Sequence, residues 1–142
     1  MPLMTATELE RFMAREFEQM DHLSLRVEEV AERFVRVRAQ VDERHLRPGG
    51  TVAGPTMMAL ADASIYLALL ATLGQVTGAA TTSLTINFLN RAEPRDLVAE
   101  ARLLKVGRRL AMGEVTIRSD GAVDPVAHVT ATYSIPQTSA SA

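Results

Sequence analysis

The sequence predicts an α+β domain in which one antiparallel sheet curls around a single long apolar helix. Three observations lead there. Residues 57–73 are almost wholly apolar and lie between Gly54-Pro55 and Gly74, which read as helix start and stop signals. Segments on both sides alternate apolar and polar residues with the two-residue period of half-buried strands. The chain of 142 residues, 47% hydrophobic and 23% charged, has the composition of one soluble globular domain with its own core. A helix apolar on every side must be wrapped, and a sheet with one apolar face must be covered, so each element answers the other's need.

Residues 5–20 read as an amphipathic helix. Leu9, Phe12, Met13 and Phe17 recur at helical spacing, and Thr7 with Glu10 forms the expected capping box. The period then changes. Leu23, Leu25 and Val27 alternate with polar residues, as do Val35, Val37, Ala39 and Val41, which predicts two strands. Glu43 to Thr51 reads as a loop around the turn former Pro48-Gly49-Gly50. After the central helix, Leu84, Ile86 and Phe88 face opposite Thr81, Ser83, Thr85 and Asn87. Leu97 to Leu103, Ala111 to Ile117 and Val129 to Ile135 alternate in turn. Short connections between these four strands predict a meander. The tail from Pro136 to Ala142 is small and polar and is expected to fray. No repeat, linker or second domain is visible.

Composition narrows the function. The chain has no cysteine, which excludes a disulfide, a thiolate nucleophile and a thiolate zinc site. A net charge of −2 argues against non-specific nucleic-acid binding. The N-terminus lacks the regions of a signal peptide, so a cytoplasmic location is expected. The apolar run is interrupted by Asp62 and is short for a membrane span, which favours a buried core helix. His22, His45 and His128 lack metal-ligand spacing, and no cofactor is expected. No Gly-x-Ser-x-Gly elbow and no phosphate-cradling glycine loop with lysine is present.

Asp62 stands out as a lone carboxylate within an apolar helix, costly unless paired, hydrogen-bonded or used in chemistry. It is either a structural group satisfied by a neighbouring strand or a working one. Gly54, at the helix start, offers free backbone N–H groups and the positive end of the dipole, which can polarise a carbonyl. The two are eight residues apart, about 12 Å along a helix, too far to address one carbonyl from the same helix. If they cooperate, two chains with antiparallel helices must share each site.

The stretch from Gly49 to Ala63 resembles the signature of the PaaI-like branch of hotdog-fold thioesterases. Leu60-Ala61-Asp62 matches the family's motif in full, and Gly54 keeps the glycine-to-Asp spacing. The order of elements agrees over roughly residues 20–135. The resemblance implies a hotdog fold and hydrolysis of an acyl-CoA thioester to CoA and a carboxylic acid. It further implies Asp62 as nucleophile or general base, the Gly54 amide as the polarising group, Thr81 as a hydroxyl that positions water or substrate, and a homodimer, often paired again into a tetramer. Three substrate-binding positions depart from the pattern. Ala53 replaces a histidine, Pro55 replaces a glycine, and Arg47 replaces an asparagine fifteen residues before the Asp. His45 could partly substitute or could be an ordinary solvated loop histidine.

CoA carries phosphates, so basic groups near the channel mouth are expected. Arg91, Arg95, Lys105, Arg108 and Arg109 fall at strand ends and turns, with Arg108 and Arg109 the leading pair. Met57, Met58, Leu69 and Leu70 either line an acyl pocket or pack the core. The rival readings are a hotdog that holds acyl-CoA without cleaving it and a hotdog hydratase. The second needs a carboxylate–histidine pair that no histidine here obviously supplies.

Overall fold

The computed structural model describes residues 1–137. Helix α1 spans Ala6–Glu16, followed by strands β1 (Arg26–Ala31) and β2 (Phe34–Ala39), helix α2 (Gly54–Leu73), and strands β3 (Ala80–Phe88), β4 (Leu97–Val106), β5 (Leu110–Ser119) and β6 (Ala127–Ser134). The six strands form one antiparallel sheet in the order β1-β2-β4-β5-β6-β3. The sheet wraps α2, which contacts all six strands.

The bounds of α2 follow its punctuation. Ala53 is the N-cap, Pro55 lies in the first turn, and Gly74 ends the helix at φ 85°, a conformation that glycine adopts without steric cost. Leu60, Ala61, Ala63 and the run Leu67 to Ala71 are completely buried. Two hydroxyls inside this surface are satisfied locally: Ser64 donates to the Leu60 carbonyl at 2.7 Å and Thr72 to the Ala68 carbonyl at 2.8 Å. The helix has 20 residues and a mean hydropathy of 1.6, long and apolar enough to cross a bilayer, contrary to expectation. Its burial under the sheet accounts for that composition.

Close packing of sheet on helix shows at Gly113 in β5. A Cβ there would lie 2.8 Å from both the Arg102 carbonyl oxygen and Ile65 Cδ1. Neither can retreat without moving the β4 backbone or a core side chain. Gly113→Ala is therefore expected to lower stability by about 1–3 kcal/mol, the usual cost of overpacking, read as a lower urea midpoint at unchanged slope.

Several expected details shift. The N-terminal helix stops at Glu16, and residues 18–23 form a 3₁₀ turn instead of its continuation. Its capping box uses Thr5 and Glu8, with Glu8 N–H donating to Thr5 Oγ1 at 3.2 Å and Thr5 N–H to Glu8 Oε1 at 2.9 Å. Glu10 is thereby free to accept the Val27 N–H of β1 at 2.7 Å. Leu23 is buried but belongs to the 3₁₀ turn, and β1 begins only at Arg26. Strands β4, β5 and β6 form the expected meander, whereas β3 pairs with the far side of β6 and leaves β4 to pair with β2. Of the tail expected to fray, residues 138–142 lie outside the described residues.

The two sheet edges differ. Edge strand β1 is six residues long, carries a bulge between Val27 and Glu29, and is covered by α1 and by charges such as the Arg36–Glu29 pair at 2.6 Å. Edge strand β3 has nine residues and no charged side chain, and most of it is exposed. Natural proteins usually blunt such edges unless they are used for pairing.

Candidate active site

Asp62 lies in the ninth position of α2, half-buried, where β3 and β6 pass over the helix. Its Oδ1 accepts the Thr81 hydroxyl at 2.6 Å and the Tyr133 hydroxyl at 2.5 Å. The Tyr133 oxygen also stands 3.0 Å from the main-chain oxygen of Asp62. No hydrogen bond reaches Oδ2 among the described residues. The carboxylate thus has one oxygen held and one free. It faces a cleft of about 410 Å³ that Phe17, Tyr66, Ala80 and Glu16 help to line.

The position of Thr81 depends on an irregularity. Strict alternation places Thr81 on the face opposite Leu84 and Ile86. In the structure Thr81 pairs with Tyr133 and Ser83 with Thr132, so Thr82 is an unpaired bulge residue. The phase of β3 reverses there, and Thr81 joins Leu84 on the helix-facing side. Bulges commonly re-aim side chains beside active sites.

Tyr133 is missing from the sequence-derived site. Alternation places it inward, and a buried tyrosine needs a partner for its hydroxyl, but nothing in the sequence says which. Its ring is 3% exposed and stacks on Tyr66, with centroids 6.1 Å apart and planes 12° from parallel. Burial first, and then the hydrogen bond to the Asp62 carboxylate, push its phenol well above the usual tyrosine range. It is therefore a donor at any working pH.

Gly54 lies in a second cleft of about 430 Å³, with Met57, Phe88, Asn90, Arg47 and Arg91 among its lining. Its N–H takes no hydrogen-bond partner among the described residues, and the positive end of a 20-residue helix adds to its pull on an anionic oxygen. The Phe88 ring packs on the glycine, since a Cβ there would meet Phe88 Cζ at 3.1 Å. Asp62 and Gly54 are therefore not brought together within one chain. Their clefts lie at the two ends of β3, with Thr81 at one and Phe88 at the other.

The remaining candidates separate. Ala53 caps α2 with its N–H donating to the His45 carbonyl at 2.8 Å, and Pro55 is exposed in the first turn. Arg47 lines the Gly54 cleft, beside Arg91. Arg108 and Arg109 are exposed on the β4–β5 turn and line neither cleft. His45 is not a solvated loop residue. It is 2% exposed, with Nδ1 accepting the Asp42 N–H at 2.9 Å and Nε2 2.7 Å from the His22 carbonyl oxygen. His128 pairs across β5 and β6 with Glu114, at 2.9 Å. Met57 lines the Gly54 cleft, Met58 is 41% exposed, and Leu69 and Leu70 are core. Among the described residues, no three or more His, Asp or Glu side chains group as a metal ion would require.

A long apolar helix wrapped by one antiparallel sheet is the hotdog architecture, and comparison with known proteins agrees. Residues 49–125 match the Thioesterase superfamily. The structure resembles that of a presumptive thioesterase from Silicibacter sp., with 41% identity, a TM-score of 0.86, and coverage of 96% of this chain and 95% of that one. It also resembles a mutant of the phenylacetic acid degradation protein PaaI from Thermus thermophilus, with 28% identity, a TM-score of 0.73, and coverage of 84% and 99%. A thioesterase from Haemophilus influenzae shares the fold at 20% identity and a TM-score of 0.84, over 94% and 92% of the two chains. No curated protein matches the sequence. The chain belongs to the thioesterase superfamily, in its hotdog, PaaI-like branch, and its chemistry is the hydrolysis of thioesters.

Proposed function

We propose that the protein hydrolyses an acyl-CoA thioester, with Asp62 as the working carboxylate, at sites shared between two copies of the chain. The observation that carries this reading is the Asp62 carboxylate, held through Oδ1 by Thr81 and Tyr133 while Oδ2 stays free toward a cleft. As a general base, Asp62 takes a proton from water as the water oxygen bonds to the thioester carbon. The C–S bond then breaks, and the CoA sulfur leaves as thiolate or takes up that proton. As a nucleophile, Oδ2 attacks the same carbon, expels the thiolate and forms an anhydride that water cleaves. Either route develops negative charge on the carbonyl oxygen, which a Gly54 N–H can stabilise.

The partner chain supplies that N–H. The uncharged edge of β3 favours pairing with its own copy, and antiparallel pairing sets the Thr81 end of one strand beside the Phe88 end of the other. This brings the Asp62 cleft of one protomer toward the Gly54 cleft of its partner.

The Gly54 cleft has two arginines, Arg47 and Arg91, and no carboxylate in its lining. That composition suits the CoA phosphates. Free-thiol release from aliphatic and aryl acyl-CoAs tests the reading, beside the same acyl groups on N-acetylcysteamine, which lacks phosphates. Arg47→Ala with Arg91→Ala is expected to raise KM for the CoA ester roughly tenfold or more and leave the short thioester unaffected. The same assay on Arg108→Ala with Arg109→Ala weighs the other arginine pair. Equal turnover of both thioesters by the wild type would remove the case for CoA.

A further inference from the structure

We propose that Tyr133 is a positioning residue of the active site: with Thr81 it fixes Oδ1 of Asp62 and so presents Oδ2 to the substrate. This deepens the reading above and rests on Asp62 being the hydrolytic carboxylate.

The geometry carries the assignment. A carboxylate on an exposed edge of a helix can rotate about its last bond and exchange its oxygens. Here both hydroxyl donors reach the same oxygen, one from β3 and one from β6, at 2.6 Å and 2.5 Å. A buried tyrosine that needed only a backbone partner would stop at the Asp62 carbonyl. Tyr133 makes that contact at 3.0 Å and a shorter one to the carboxylate. The phenol cannot swing away, because its ring is stacked on Tyr66, which is tied through its own hydroxyl to the Val76 carbonyl at 3.0 Å. Its raised pKa keeps the proton in place for donation. The titratable groups facing this carboxylate from the surrounding elements are Glu16 of α1, Tyr66 of α2 and Tyr133 of β6, while β3 contributes only neutral Thr81.

Removing a donor from an ionised carboxylate favours its protonated form. Tyr133→Phe keeps the stacked ring and deletes the hydroxyl. With an acyl-CoA that the wild type turns over, kcat is expected to fall roughly 10- to 100-fold, the loss of one hydrogen bond to a charged group, with KM within about threefold. The acid limb of the kcat profile and the carbon-13 titration of the Asp62 carboxyl should move to higher pH together. Fluorotyrosine incorporated at position 133 is a better donor of unchanged shape and should move both to lower pH, which keeps the test open if the Phe variant folds poorly. A folded Phe variant with unchanged kcat, or with an unmoved Asp62 titration, overturns the proposal. The two readings fail separately. Absence of turnover by the wild type on every acyl-CoA removes the substrate reading, whereas the carboxyl titration still reports on the Tyr133 clamp.

Discussion

Asp62→Asn is expected to cut thioester hydrolysis by roughly 10²–10⁴-fold, the range associated with losing a general base, and by at least as much if the carboxylate is the nucleophile. The substitution is well suited to the site. An amide oxygen can still accept from Thr81 and Tyr133, so the clamp of two hydroxyls on one oxygen survives. Fold, melting temperature and substrate affinity should therefore stay close to those of the wild type, while turnover collapses. The signature is kcat lost with KM or Kd preserved, as for a group that acts on the reacting atoms. Full activity in this variant would move the chemistry away from α2 altogether. Tight binding of acyl-CoA with no turnover by either protein would instead make the chain a carrier.

A site shared between two copies of the chain, as proposed above, makes a second, numerical demand. Gly54→Val keeps the backbone N–H but sets its side chain against the Phe88 ring and crowds the cleft; alone it should be nearly inactive, as Asp62→Asn is. Mixed after dissociation and reassociation, the two inactive proteins are expected to regain about a quarter of wild-type activity. Half of the dimers formed are mixed, and in each mixed dimer one of the two sites combines an intact Gly54 with an intact Asp62. The other site carries both lesions. A monomeric site predicts no recovery at all. The same mixture should lose its recovered activity when Ser83 and Thr85 of both chains become lysine, because like charges across a strand pair oppose the seam.

The sequence displayed the helix well and the strand irregularities poorly, for identifiable reasons. The bounds of α2 were legible because Gly54-Pro55 and Gly74 act locally, each on its own turn. The inward residues of β4, β5 and β6 were legible because the period holds without interruption through Ala99, Val115 and Val129. The place of β3 beside β6 was not, since strand order depends on long-range pairing that no segment encodes alone. The cap of α1 was misplaced by two residues because Thr5–Glu8 and Thr7–Glu10 have the same spacing. Only the need of β1 for a partner at Val27 N–H explains why Glu10 was used elsewhere. His45 reads as a loop residue by neighbourhood, yet a 3₁₀ turn from Glu43 to His45 folds it under Asp42. Asp62 was visible as a charge out of place. Tyr133 was hidden by its conformity, being an aromatic residue at an inward position where any aromatic would pass as core.

The single unpaired residue in β3 has a consequence for how this protein can change over time. Thr82 divides the strand into two stretches under separate constraint. The stretch from Ser83 to Phe88 answers to the packing over α2 and to whatever lies along the open edge. The stretch at Ala80 and Thr81 carries the hydroxyl that meets the Asp62 carboxylate and pairs with Ser134 and Tyr133 of β6. Because the phase break uncouples them, the hydroxyl beside Asp62 can be exchanged for another small group without disturbing the packed half. The packed half can likewise drift without turning that hydroxyl away. In the proposed dimer, chemistry and assembly would share one strand of nine residues, divided at Thr82.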